Sequence, residues 1–208
     1  MPDMLSAVDR KSRMRQKRVA PFADDADPFT RDLVVGILAH LSDDDWFHSG
    51  EPFLMASGRM TRKLRTLFPD DQSHRVGFLG HILVEILLDR WLIERDPTLL
   101  DRLHAAMETI DPAQLAAAVD RMATRPTERL ASMYPRMVSE RFLSDYPDDD
   151  RLLYRLNGVM KRVGLPLLPE SFASELPALH ADVVAVAPTL LPPDVREQFV
   201  GPLGDEAG

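Results

Sequence analysis

Apolar residues recur along most of this chain at the three- and four-residue intervals of a helix. No segment alternates apolar and polar positions long enough to argue for a sheet. The period predicts helices over roughly 28–48, 52–68, 72–95, 97–110, 112–124, 127–146 and 149–163. Asp-Pro steps at Asp27-Pro28, Asp96-Pro97 and Asp111-Pro112 mark three of the starts. The Asp carboxylate accepts the first free amides of a helix, and Pro at the next position loses no hydrogen bond. Pro135 falls inside the sixth helix and is expected to kink or break it. From Gly164 the texture changes, with seven of the 17 prolines between Pro166 and Pro202. One helix near 171–187 fits there, in an appendage packed over the bundle with a frayed end from about Gly201. The expected fold is all-α: a single-domain bundle of about seven or eight helices, with 27–163 as helical core and 164–208 as a proline-rich appendage.

Composition narrows the chemistry. At 208 residues the chain is long enough for one domain with a sizeable core. It has no cysteine, which excludes disulfides, thiolate metal sites and cysteine nucleophiles. Neither a long apolar span nor a charged-then-apolar leader is evident, so the expectation is a soluble, cytoplasmic chain with no membrane span. The net charge of −8 argues against a general nucleic-acid partner. That charge is uneven: residues 1–20 carry +4 and the remainder −12. Residues 1–26 therefore read as a basic, flexible arm, solvated or touching a phosphate or acidic partner. Serine-hydrolase and nucleotide-loop motifs are absent.

The candidate chemistry lies in two polar stripes. The segment 78–93 is apolar on nearly every face, as a buried helix is. Its polar residues up to Asp89 are His81, Glu85 and Asp89, spaced i, i+4, i+8. At 3.6 residues per turn they form one line about 12 Å long. The first long helix repeats the spacing with His40, Asp44 and His48. Without thiolates, imidazole and carboxylate are the ligands of a divalent ion such as Mn²⁺, Zn²⁺, Fe²⁺ or Mg²⁺. Two facing helices can complete such a site, as in bundle metalloproteins. Each stripe equally suits a helix face turned to solvent. His74, at the polar entry to the third helix, is a further candidate; His104 and His180 fall on expected surface or appendage positions.

These residues carry a family resemblance. Gly36-Ile37-x-x-His40-x-x-x-Asp44-x-Trp46 resembles the G-I-x-x-H-R-x-I-D-x-F-T-D segment of the acyl carrier protein phosphodiesterase family. Glu85-x-x-x-Asp89-Arg90-Trp91-Leu92 resembles its D-x-x-x-D-H-F-L segment. Leu143-x-x-Tyr146, followed by Leu152, Leu156, Met160 and Arg162, is similar to its closing L-x-x-Y…L…L…M…R pattern. The order holds over residues 36–162, about 60% of the chain. The resemblance implies an all-helical fold distantly related to the HD phosphohydrolases, and a divalent ion, Mn²⁺ or Mg²⁺. It also implies hydrolysis of the phosphodiester joining phosphopantetheine to a carrier-protein serine. Carried over, it makes His40, Asp44, Glu85 and Asp89 candidate ligands. The chain departs from the pattern with Leu41 for Arg, His48 for Asp, Glu85 for Asp and Arg90 for His. Gly80-His81-x-x-x-Glu85 is also faintly similar to zinc-dependent phospholipase C.

The sequence thus points to a metal-dependent phosphodiesterase-like hydrolase acting on a small-molecule or carrier-protein phosphoester, acyl carrier protein among them. His40, Asp44, His48, His81, Glu85 and Asp89 are the expected ligands, and Asp45 or an unliganded carboxylate is the expected general base. The alternative is a catalytically silent helical protein that binds a partner or self-associates.

Overall fold

The computed structural model describes residues 2–68 and 75–200. His74 and the expected helix start at 72 lie outside the described residues. Every regular element described is helical. The α-helices are α1 (Pro2–Val8), α2 (Gln16–Val19), α3 (Pro28–Ser49), α4 (Glu51–Leu67), α5 (Val76–Arg95) and α6 (Leu99–Glu108). They continue with α7 (Pro112–Met122), α8 (Leu130–Ser139), α9 (Asp149–Val163), α10 (Leu176–Val184) and α11 (Pro193–Val200). Eleven described helices exceed the seven or eight expected, because short helices also form at both ends of the chain. In place of a single domain there are two compact units, each built from two separate stretches of sequence. One takes the chain up to His48 together with Leu103–Arg141, and the other takes Ser49–Arg102 together with the chain from Phe142 onward.

Local chemistry sets the helix boundaries. At α3 the Asp27 carboxylate accepts from the Thr30 backbone N–H at 3.2 Å. At α7 Asp111 accepts from Gln114 N–H at 2.7 Å. The third Asp-Pro step works differently. Asp96 accepts from the Thr98 N–H at 3.0 Å and from Arg102, closing a turn before α6 begins two residues late at Leu99. Asp148 caps α9 through the Arg151 N–H at 2.9 Å. That helix stops at Gly164, whose φ of 74° is a left-handed conformation that glycine adopts without a Cβ clash. Pro135 sits inside α8, which ends at Ser139; a separate 3-10 turn covers Phe142–Asp145.

In the first unit, Val34 and Ile37 of α3 pack with Leu115, Val119 and Met122 of α7 and with Leu130 and Tyr134 of α8. The N-terminal stretch, expected as a flexible arm, instead contributes Leu5, Val8, Met14 and Val19 to this core. Four apolar residues spaced among its cations are enough to anchor it. His104 is also buried, at 4% exposure, where a surface position was expected.

In the second unit, α5 is the central element and buries Leu79, Leu83, Val84, Leu87, Leu88 and Trp91. Phe53, Met60 and Leu64 of α4 and Leu152, Leu156 and Met160 of α9 complete much of the core. The proline-rich region adds to that core as well: Phe172, Leu176, Leu179 and Val183 are each at most 2% exposed. Its prolines open helical turns, at Pro177 of α10 and Pro193 of α11, where a missing N–H costs nothing. His180 of α10 is buried at 9% exposure, again against expectation, and burial pushes its pKa down.

The α4–α5 crossing is the tightest contact around α5. A Cβ placed on Gly80 would lie 2.6 Å from Thr61 Oγ1 and 3.0 Å from the Thr61 backbone nitrogen. Only glycine allows this approach, because the obstruction includes backbone that cannot swing aside. Gly80→Ala is therefore expected to cost ~1–3 kcal/mol of unfolding free energy by urea denaturation. Gly58→Ala, on α4 with only the far end of Arg62 within 3.8 Å, should be neutral or stabilising by up to ~1 kcal/mol. Equal stability of wild type and Gly80→Ala would contradict the close crossing.

Candidate functional site

The α5 stripe survives as a polar line on an otherwise buried helix. His81 and Glu85 are half-buried and Asp89 is exposed, while Leu83, Val84, Leu87 and Leu88 between them are buried. His81 Nε2 lies 2.8 Å from Glu85 Oε1. The imidazole is also held by Phe53, whose ring meets it edge-on with centroids 4.8 Å apart at 89°. Phe53 is buried on α4, so the crossing at Gly80 fixes the ring that orients the next residue, His81.

Tyr146 joins the stripe from the segment before α9. It is 7% exposed, and the charges of Asp89 and Glu85 reach its hydroxyl. Burial is the largest influence, and with Asp89 and Glu85 it pushes the phenol well above its usual pKa, against the opposing charges of Arg155 and Arg162. Arg155 is tied to Asp145, with Nε at 2.7 Å and Nη2 at 2.6 Å from the same carboxylate oxygen. Arg162 is exposed and forms no ion pair with a carboxylate among the described residues. In the second unit the charges of Asp89, Glu85, Arg155 and Arg162 all act on the Tyr146 phenol, and Glu85 also pairs with His81.

Arg90 follows Asp89 on α5. It does not join the stripe chemistry but bridges Glu94 at 2.8 Å and Asp149 at 2.6 Å, tying α5 to the first turn of α9. A guanidinium fork with five N–H donors can hold two carboxylates at once.

The α3 set is arranged within the first unit. His48 Nδ1 lies 3.2 Å from Asp44 Oδ1 and 2.9 Å from the Asp44 carbonyl oxygen. His40 instead faces Asp3 of α1, with Nε2 at 3.5 Å from Oδ2. Asp45, the expected general base, is exposed on α3 beside the exposed Asp43 and Asp44. So the two stripes each contain an imidazole–carboxylate pair at i, i+4, and His40 is drawn off toward the N-terminal helix.

These pairs can be tested against a divalent ion by their donor chemistry. Ligand bonds near 2.0–2.2 Å place neighbouring donor atoms about 3 Å apart. The His81–Glu85 separation of 2.8 Å and the Asp44–His48 separation of 3.2 Å both match that spacing, with a nitrogen and an oxygen donor in each. An i, i+4 ion pair on a plain helix gives the same distances. What distinguishes the α5 pair is that its carboxylate also acts electrostatically on the buried Tyr146 phenol. Tyr146 and Arg162 were visible in the sequence only as members of the closing pattern 143–162; nothing in their spacing tied them to α5.

No protein-family model, curated protein or solved structure matches this chain.

The raised Tyr146 pKa makes alkaline stability a probe of the site. The neutral phenol is favoured in the fold, so its contribution is complete below the unfolded value of about 10 and is lost as pH rises above it. Urea unfolding should show stability falling as pH climbs past that value, and Tyr146→Phe should fall less steeply. Parallel pH profiles for the two proteins would show that the phenol is not buried beside these carboxylates.

Proposed function

We propose that this protein is a metal-dependent hydrolase of phosphodiesters, with its reaction centred on the α5 stripe. The observation that carries the reading is the His81–Glu85 pair: two donors 2.8 Å apart on the one polar line of a buried helix. His81 and Glu85 would hold a divalent ion, and the ion would polarise a phosphoryl oxygen and acidify water toward neutral pH. Mn²⁺ and Mg²⁺ suit so few protein donors, because such ions keep several waters. Asp89, on the same line, would accept the proton of the attacking water. Arg162 offers a guanidinium to a non-bridging phosphoryl oxygen, a group it matches in geometry. The buried Tyr146 hydroxyl, kept neutral, can donate a hydrogen bond to developing negative charge.

In the same reading, Asp44 and His48 form a second ligand pair, with His40 beside them and Asp45 as their candidate base. The resemblance to acyl carrier protein phosphodiesterases supports a phosphodiester substrate, and a carrier-protein phosphodiester is the finer form of the proposal. Leu41 and Arg90, which replace polar family positions, would alter how that substrate is held.

The reading is tested with bis(p-nitrophenyl) phosphate and Mn²⁺. Purified protein should hydrolyse the diester after Mn²⁺ addition and lose the activity with chelator. Glu85→Gln and His81→Ala should each lower kcat/KM by ~100-fold or more, with unchanged circular dichroism. Mn²⁺ should raise the Tm of wild type and leave that of His81→Ala unmoved. A Tm indifferent to Mn²⁺, Zn²⁺ and Fe²⁺, with no hydrolysis, would instead leave a silent helical binding protein.

A further inference from the structure

Residues 11–15 precede α2 as an irregular segment whose burial alternates strictly. Ser12 and Met14 are 0% and 7% exposed, while Lys11, Arg13 and Arg15 face solvent. The Ser12 N–H closes a turn onto the Asp9 carbonyl at 3.1 Å, so Lys11 sits in that turn and Arg13 and Arg15 alternate along the segment after it. The segment is fastened to the chain just beyond α7. Ser12 Oγ donates to the Arg125 carbonyl at 2.7 Å, and Arg13 N–H donates to Thr124 Oγ1 at 2.9 Å. The Thr124 N–H returns a bond to the Arg13 carbonyl at 2.9 Å, and Arg18 Nε donates to the Met122 carbonyl at 3.1 Å. The three cations are thus displayed in a row by a fixed backbone, all within the first unit.

The row is flanked by exposed Arg10, Lys17 and Arg18, and by Arg125 and Arg129 on the adjoining segment. The nearby carboxylates are Asp9, which reaches Arg125 at 3.9 Å, and the exposed Glu128. Among the described residues, no ion pair with a carboxylate engages Arg10, Lys11, Arg13, Arg15, Lys17 or Arg18. That is six unmatched cations in a chain where 33 acidic residues face 25 Lys and Arg. A shallow hollow of about 560 Å³ lies at one end of the row, lined by Arg15, Gln16, Lys17 and Ala20.

We propose that this row binds the phosphodiester backbone of a nucleic acid strand without regard to sequence. The proposal does not rest on the His81–Glu85 pair, which lies in the other unit. Regular spacing is the reason for preferring a polymer of charges. Arg13 and Arg15, alternate residues about 6.6 Å apart where a chain is extended, are spaced like successive phosphates of a strand, whose through-space separation is about twice the axial rise of about 3.4 Å. A lipid surface is disfavoured, because none of the exposed large apolar side chains falls in 10–18 or 121–129 among the described residues. Surface-seated segments carry such side chains beside their cations. The acidic excess of the chain as a whole makes this run of cations without carboxylate partners stand apart from its average surface.

Fluorescence anisotropy of the full chain with labelled oligonucleotides of about 20 nucleotides, single-stranded and duplex, tests this at about 50 mM salt. Binding is expected in the micromolar range with either form, weakening with salt at a log–log slope of about −2 to −3, as three phosphate contacts require. The forms are distinguished by which binds more tightly. The triple variant Lys11→Gln, Arg13→Gln, Arg15→Gln should bind at least ~10-fold more weakly and lose most of the salt slope. A matched triple change on α4, Arg59→Gln, Arg62→Gln, Arg65→Gln, should retain wild-type affinity. The proposal is overturned by absence of binding or by equal affinity in the row variant. It is overturned equally by matching losses in both triple variants, or by capture on phosphatidylserine vesicles without oligonucleotide binding.

Discussion

The approach of α5 to α4 at Gly80 is the constraint on which the second unit depends. With a Cβ excluded by Thr61, the two backbones meet at a distance that only glycine allows. That closeness buries Leu79 and Leu83 on α5 and brings Phe53 of α4 against the His81 ring. Since α5 is covered on most sides, its one polar line is what remains for chemistry. An imidazole and a carboxylate on that line are then held by packing rather than by loop conformation, which is how a preorganised site is built. Arg90, one step past the line, ties the far end of α5 to the first turn of α9, the helix that contributes Arg155 and Arg162.

Charge is organised as tightly as volume. The acidic excess of the chain does not spread evenly, and the cations of the first 20 residues stay largely unmatched. What holds them is apolar: Leu5, Val8, Met14 and Val19 sink into the first unit and leave Lys11, Arg13 and Arg15 outside. A net charge therefore says little about which polymer a local face attracts. Net −8 weighed against nucleic acid when the chain was taken whole, and it weighs less once a fixed row of cations is seen.

Much of the helical framework was legible in the sequence because its signals are local. Periodicity places α3, α7 and α9 within a residue or two, and the Asp27 and Asp111 caps mark the starts of the first two. The Asp96-Pro97 step misleads by two residues because the Asp96 carboxylate closes a turn onto Thr98 and also holds Arg102. The ends of the chain were read too loosely for a related reason. Cation-rich and proline-rich composition suggested solvated tails, yet a few apolar residues at the right spacing, such as Leu5 and Phe172, suffice to dock them. In the candidate site, the i, i+4 pairs were legible since they lie on single helices. The pairing of His40 with Asp3, and the electrostatic reach of the α5 carboxylates to Tyr146, needed the tertiary fold.

The central claim is that His81 and Glu85 are two ligands of one divalent ion. The most direct measurement is a crystal structure of the full chain soaked in Mn²⁺, with data collected to reveal anomalous scattering. The account predicts an anomalous peak within about 2.2 Å of both His81 Nε2 and Glu85 Oε1, absent from crystals of Glu85→Gln. A map with no peak there, and with the imidazole still hydrogen-bonded to the carboxylate, would contradict it.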